Sequence, residues 1–499
     1  MNIRLYNAQI LTMEKDRPIF RGEVWVKDDR IAYIVEGDSK NQLQPAKQLQ
    51  PKDEMESTNQ AQSKDGMQST NQAQSKDGMQ STNQAQSKGE TQSANRAQSI
   101  NREQPNSGKI GKALPVIPWD TEIDCKGNLL MPGFKNAHTH SAMTFLRSFA
   151  DDVPLQQWLE EKIFPMEAKL SPEDIYHLTR LAVLEYLTAG ITAVFDMYLV
   201  PGQTAQACMD TGMRCVLTSG LNNFTSSLEQ QEEEYRKWNK ADPLVSYQMG
   251  FHSEYTCSRE LLEGMAALAR RNRAPVYTHL AETVKEVEGC VERYGMTPAV
   301  FLDQLGMFEY GGGGYHCVHM SDEDMNVFKK HSLHVVTNPA SNLKLASGMA
   351  PVAEYVRRGI PVAIGTDGPA SNNCLDMFRE MFLVSGLSKI REKDAASLDA
   401  AEVLRMATVG GADAMGLSQA DVLAQGKLAD MILIDMRQPN MQPVHNQVKN
   451  LVYSGSKSNI AMTMVGGRIL YRDGEFHVGE TPEIVYGKCE GIVKRILSS

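Results

Sequence analysis

The sequence has no apolar run long enough to span a bilayer, and no positively charged start followed by an apolar stretch. It therefore predicts neither a membrane span nor a secretory leader. It also lacks a basic face: 51 Lys and Arg stand against 61 Asp and Glu, a net charge of -10. That balance argues against nucleic acid or an anionic membrane as partner. None of the 8 cysteines falls in a C-x-x-C pair, so neither a disulfide framework nor a thiolate zinc site is expected, and a reducing cytoplasm is the expected compartment. No G-x-G-x-x-G follows the first strand of the central region, which argues against a doubly wound dinucleotide-binding sheet.

Between residues 38 and 112 large apolar side chains are almost missing, and the unit "STNQAQSKDGMQ" recurs with Met55, Met67 and Met79 marking its register. So polar a segment cannot bury enough surface to offset its ordering entropy, and we read 38–112 as a low-complexity, disordered insertion.

The rest of the 499 residues supports a large core. "IRLYNAQILTM", "GEVWVKDDRIAYI" and "TEIDCKGNLLMPG" alternate apolar and polar residues as half-buried strands do, and "ADMILIDM" and "AMTMVGGRILYRDGEF" do so near the other end. This predicts a small β-sandwich domain built from both chain ends, residues 1–37, 113–130 and 425–480, with a C-terminal helix over 481–499. Over 131–424, short apolar strands alternate with helical stretches, which predicts the α/β class and a (β/α)8 TIM-like barrel.

In such a barrel, chemistry is built at the carboxyl ends of the strands. His138 and His140 end strand one, His252 strand four, His279 strand five, His319 strand six and Asp367 strand eight, whereas His316 is read as lying inside strand six. Each alone reads as an ordinary rim or turn residue. Together, three imidazoles and one carboxylate suit a borderline cation such as zinc, with a position left open for water. Glu282, three residues beyond His279, is placed to reach a substrate atom beside that cation. The end of strand four, "GFHSEYTCS", offers no lysine to bridge a second ion, so one divalent metal, Zn2+, is expected.

The segments "NAHTHSAMTFLRS", "FHSEYTCS", "THLAET", "NPASNLKLASG" and "GTDGPASNNCLDMFREM" resemble the amidohydrolase superfamily and, within it, the 5-methylthioadenosine/S-adenosylhomocysteine deaminases. The resemblance covers nearly the whole chain outside the repeat. It implies His138, His140, His279 and Asp367 as metal ligands, and Glu282 and His319, together with Asp367, as the proton-handling groups. It also implies His252 and Glu282 as substrate contacts and Glu167 as the carboxylate on the ribose hydroxyls. The implied reaction is metal-dependent hydrolytic deamination of an adenine nucleoside.

Two departures stand out. No arginine occurs between Arg214 and Arg236, where the family holds an amino-acid carboxylate, and Glu254 stands where the family more often has Pro. The expected substrate is therefore an adenine nucleoside, with compact ones such as methylthioadenosine or adenosine ranked ahead of S-adenosylhomocysteine. Similar constellations hydrolyse guanine, cytosine and triazine rings, and a non-catalytic binding protein is the remaining reading. A homo-oligomer is compatible with any of these.

Overall fold

The computed structural model describes residues 1–37 and 117–498. The polar repeat, with the expectation of disorder attached to it, lies outside the described residues.

Strands β1 (Asn2–Ile10), β2 (Phe20–Lys27) and β3 (Arg30–Glu36) form an antiparallel meander. In β1, Ile3, Leu5, Ala8 and Ile10 are buried; a bulge between Leu5 and Ala8 keeps all four on the core side although their spacing is irregular. β4 (Thr121–Asp124) and β5 (Leu129–Pro132) run parallel to β1.

Sequence alone reads "LLMPGFKNA" as one strand. The structure breaks it at Gly133, where a Cβ would lie 2.1 Å from the Thr192 side chain, and β6 (Phe134–Thr139) starts a different sheet. β6, β7 (Ile191–Tyr198), β8 (Arg214–Ser219) and β9 (Val245–Tyr247) form a four-stranded parallel sheet. β10 (Met249–Ser253), β11 (Val276–Leu280), β12 (Gly312–His316), β13 (His334–Thr337) and β14 (Val362–Ile364) form a five-stranded one.

The two sheets meet at both ends. Gln248 and His252 donate their N–H groups to the Leu217 and Leu221 carbonyls, each at 2.9 Å, and Asp367 donates to the His138 carbonyl at 3.0 Å. Helices connect most of the strands, among them Pro172–Thr188, Pro201–Thr211 and Arg259–Asn272, the mixed α/β arrangement whose strands are buried on both faces. Helix starts are set locally: Ser171 and Asp174 cap the first of these reciprocally, as Ser321 and Asp324 cap Asp322–His331.

The chain then returns through β15 (Met431–Ile434), β16 (Ile460–Val465), β17 (Arg468–Arg472) and β18 (Glu475–Phe476). Both chain ends do meet, but as one nine-stranded sheet ordered β18-β17-β16-β15-β5-β1-β2-β3, with β4 on β1, rather than the expected two sheets of a sandwich. β5 is the reason: it takes β1 on one edge and β15 on the other, so the two groups of strands share one ladder. A separate apolar cluster that includes Leu5, Val24, Ile123, Met431 and Met462 covers its buried face.

Arg214, at the start of β8, clamps Asp430 with two bonds of 2.6 and 3.0 Å, and Asp430 also accepts the Gly466 N–H at 2.7 Å. This fully paired buried cluster joins the parallel strands to the nine-stranded sheet at the end opposite the strand carboxyl ends; removing one partner would leave a buried charge alone. The terminal helix Pro482–Ser498 is tied to the chain by Arg495 on Asp174 and by the Cys489 thiol on the His177 carbonyl. Among the described residues no helix is long and apolar enough to cross a membrane.

Candidate metal and catalytic site

Three strand ends carry a backbone that L-residues rarely adopt. Ala281, His316 and Asp367 all have positive φ, 49°, 68° and 59°, and follow or end β11, β12 and β14. Such strain persists where the surroundings impose it and clusters at functional sites. Here it turns consecutive side chains away from strand alternation and toward one mouth. Gly365 makes the approach possible, since a Cβ there would lie 2.8 Å from the His138 backbone and 2.5 Å from the Asn338 amide oxygen.

At that mouth His138, His140 and Asp367 bring one ligand atom each within 4.8 Å of one another, and His138, His279 and His316 do the same. The His138 ring lies 4.8 Å from His140 and 4.9 Å from His279, centroid to centroid. His140 Nδ1 donates to the Met197 carbonyl at 2.6 Å and His279 Nδ1 to the His252 carbonyl at 2.8 Å, which leaves each Nε2 lone pair free. Ser341 and Ser371 donate to Asp367 Oδ2 at 2.6 and 2.8 Å, while Oδ1 stands 3.5 Å from His138 Nε2 and 3.2 Å from His140 Nε2.

His138 is fully buried against the Tyr315 ring at 3.7 Å, and neither of its nitrogens has a hydrogen-bond partner. An orphaned buried imidazole is costly. A divalent cation satisfies it, and three imidazole nitrogens with one carboxylate oxygen are a donor set zinc accepts. The surroundings favour neutral His138 and His279 beside an ionised Asp367, and His140 alone is held protonated. Burial pushes His138 down to about 3, His252 to about 4 and His279 well below the usual range. Burial opposes ionisation of Asp367, but its contacts with His138 and His140 outweigh it and hold the carboxyl well below normal. His140 is likewise opposed by burial, yet Asp367 raises it to about 9, as expected for an imidazole beside a carboxylate that awaits a cation.

A cavity of about 130 Å3 opens here, lined by His140, His252, His279, Glu282, His316 and Asp367. Glu167 lines it from the other side, its carboxyl pushed up to about 7 by burial. Glu282 accepts from Ser347 Oγ at 3.1 Å. Its backbone is fixed by Glu286, whose two oxygens accept the Ala281 and Glu282 N–H groups at 2.6 and 2.9 Å.

One expectation changes at strand six. His319 does not line the cavity; its Nε2 donates to the Ser347 carbonyl at 2.7 Å. His316 does, 3.9 Å from Glu282 and 4.0 Å from Asp367, with Nδ1 donating to Asn342 Oδ1 at 2.7 Å. The cause is the paired left-handed turn at His316 and Cys317. It ends β12 at His316, sends the chain outward and leaves the Val318 and His319 N–H groups bonded to the Ala281 carbonyl. The positioning groups Asn342, Ser341, Ser371 and Glu286 were not anticipated either. Glu254, the departure noted in the sequence, is fully buried and paired with Arg293.

Parallel strands whose carboxyl ends converge on a His/Asp cluster able to hold a cation, with Glu282 and His316 beside it, define a hydrolase scaffold. The sequence profile of the amidohydrolase family matches residues 129–470, and the chain belongs to that family. It is 41% identical over 372 residues to a 5-methylthioadenosine/S-adenosylhomocysteine deaminase of Desulforamulus reducens, covering 73% of this chain and 86% of that protein. It is also 41% identical over 368 residues to a 5'-deoxyadenosine deaminase of Methanothermobacter thermautotrophicus, covering 72% and 86%. Among solved structures, an adenosine deaminase from Xanthomonas campestris with bound Zn superposes with a TM-score of 0.79 at 26% identity, over 100% of this chain and 98% of that one.

Proposed function

We propose that this protein is a zinc-dependent aminohydrolase that converts an adenine nucleoside to its inosine analogue and ammonia. The observation that carries the reading is the meeting of His138, His140, His279 and Asp367 beside Glu282 and His316 in one cavity; relatives named as adenosine-type deaminases support it. We take the eight parallel segments, with β9 and β10 as one strand, to close into the (β/α)8 barrel over 131–424, and the two chain ends to form the small β domain. All eight cysteines are free, which fits a reducing cytoplasm.

His138, His140, His279 and Asp367 would hold one Zn2+, which acts as a Lewis acid and brings a water's pKa toward neutrality. The chain's own groups move the protons. Asp367 orients the attacking water and His316 takes a proton from it as its oxygen bonds to the amino-bearing ring carbon. Glu282, held by Ser347, gives its proton to the adjacent ring nitrogen, which makes that carbon electrophilic. Proton return from His316 to the amino group lets the C–N bond break and ammonia leave, while the proton of the added hydroxyl passes to the Glu282 carboxylate, which leaves the ring carbonyl with its neighbouring N–H and restores Glu282. Asn342 keeps His316 in the tautomer whose Nε2 can accept. His252 contacts the substrate, and Glu167 accepts the ribose hydroxyls.

Ammonia release from a panel of adenine nucleosides, guanine, cytosine and a triazine tests the reading, with Glu282→Gln as control. We expect turnover of the nucleosides and a loss of a hundredfold or more in the variant. Release from guanine or the triazine alone, or an unimpaired variant, would overturn it.

A further inference from the structure

The small inner cavity opens into an outer chamber of about 700 Å3, and Leu159, Phe164, Glu167, Leu199, Tyr255 and His252 line both. Together they reach the size of ordinary ligand sites, roughly 300–1,000 Å3. The outer chamber has two properties of its own. Among the described residues lining either cavity there is no Lys or Arg, while Glu160 and Glu167 are present. Its walls also carry phenyl groups that face water: Phe224 is 91% exposed and Phe164 45%.

Phe224 is not on a loose end. Its N–H is bonded to Asn222 Oδ1 at 2.9 Å, and the neighbouring Asn223 donates its N–H to the Thr256 carbonyl at 3.1 Å and accepts the Ser258 N–H at 2.8 Å. The backbone of the loop is fixed against the Glu254–Thr256 turn while the ring at its tip is left uncovered. A large apolar side chain held in water at a cavity mouth is what an apolar ligand group would cover.

From the continuity of the two cavities and the missing cation, we infer that the outer chamber receives an uncharged, apolar substituent on the 5' carbon of the nucleoside, and that Phe224 is the residue that selects for it. This rests on the proposed deaminase reading. The ring to be deaminated would lie at the His/Asp cluster, with Glu167 between the chambers on the ribose hydroxyls, and the 5' carbon would then point toward Phe224. Of the two charges on an amino-acid substituent, the ammonium could meet Glu160, but the carboxylate would find no Lys or Arg on these walls and would lose its hydration without a charge-assisted bond in return.

The test is steady-state deamination of adenosine, 5'-deoxyadenosine, 5'-methylthioadenosine and S-adenosylhomocysteine by the wild type, Phe224→Ala and Phe224→Leu. Because Phe224 is exposed, both variants should fold. In Phe224→Ala we expect KM for 5'-methylthioadenosine to rise about tenfold, the scale of one lost apolar contact, with kcat and the KM for adenosine little changed. Phe224→Leu should keep most of the preference. S-adenosylhomocysteine should be the poorest substrate of the wild type by at least tenfold in kcat/KM. Equal changes for all substrates, no change for any, or S-adenosylhomocysteine turned over as well as 5'-methylthioadenosine would overturn the inference. Adenosine turned over without the selectivity shift sinks this inference alone, whereas no ammonia from any nucleoside sinks the deaminase reading and this one with it.

Discussion

Replacing each histidine of the "HCVH" stretch separately gives opposite outcomes if the site is read correctly. His316 stands within 4.0 Å of both Asp367 and Glu282, and its tautomer is set by Asn342. As a proton carrier it contributes on the order of a hundredfold to ten-thousandfold, about 3–5 kcal/mol of barrier. His319 makes one bond, to the Ser347 carbonyl, and loses on the order of 1 kcal/mol when that bond goes, about fivefold if all of it reached the rate through the Ser347 contact to Glu282. We therefore expect His316→Gln to retain its zinc, because the other three imidazoles and Asp367 remain, while kcat on adenosine falls at least a hundredfold. His319→Gln should stay within about fivefold of wild type. The assay is kcat on metal-quantified protein for both variants. A near-normal His316→Gln with a crippled His319→Gln would refute the assignment.

Two further outcomes follow from buried ionisable groups. Burial raises Glu167 to about 7, so if its carboxylate accepts the ribose hydroxyls as proposed, that contact is lost as pH falls through 7. The kcat/KM for adenosine should show that acid limb and 2',3'-dideoxyadenosine should lack it, while identical profiles would remove Glu167 from ribose binding. Lys135 is fully buried, its ammonium on the Gly133 carbonyl and Thr192 hydroxyl, and burial lowers it to about 8 from the 10.5 of the exposed group. The folded state thus binds fewer protons between those values, so the penalty, about 3 kcal/mol, is full below pH 8 and fades as pH rises toward 10.5. The melting temperature of Lys135→Met minus that of wild type should shrink over that interval, and parallel melting profiles would contradict the argument.

Much of the site was legible because strand ends are legible. His138, His140, His279 and Asp367 each close a short apolar run, and the barrel rule gives such positions a common mouth. Strand six failed for a physical reason. "GGGGYHCVHM" holds two histidines three residues apart, and alternation cannot choose between them when two left-handed residues end the strand. Strand length could have decided, since β11 and β12 are both five residues long and an equal count stops at His316. The Gly133 break was hidden for a similar reason: it separates two runs with the same apolar pattern, and only the closeness of Thr192 demands a glycine. Ser341, Asn342 and Ser371 act through contacts with residues 26, 26 and 4 positions away, and no local pattern marks them. The single nine-stranded sheet depended on β5 serving both chain ends, a pairing between segments some three hundred residues apart.

One cation, held by His138, His140, His279 and Asp367 as proposed above, is what the active site would be built around. Stripping the protein with a chelator and titrating Zn2+ back while following ammonia release from adenosine tests it directly. Activity should vanish on stripping, return in proportion to added zinc and stop rising at one equivalent, and His279→Ala should recover neither zinc nor activity. Full turnover by the stripped protein, or a plateau reached only at two equivalents, would contradict it.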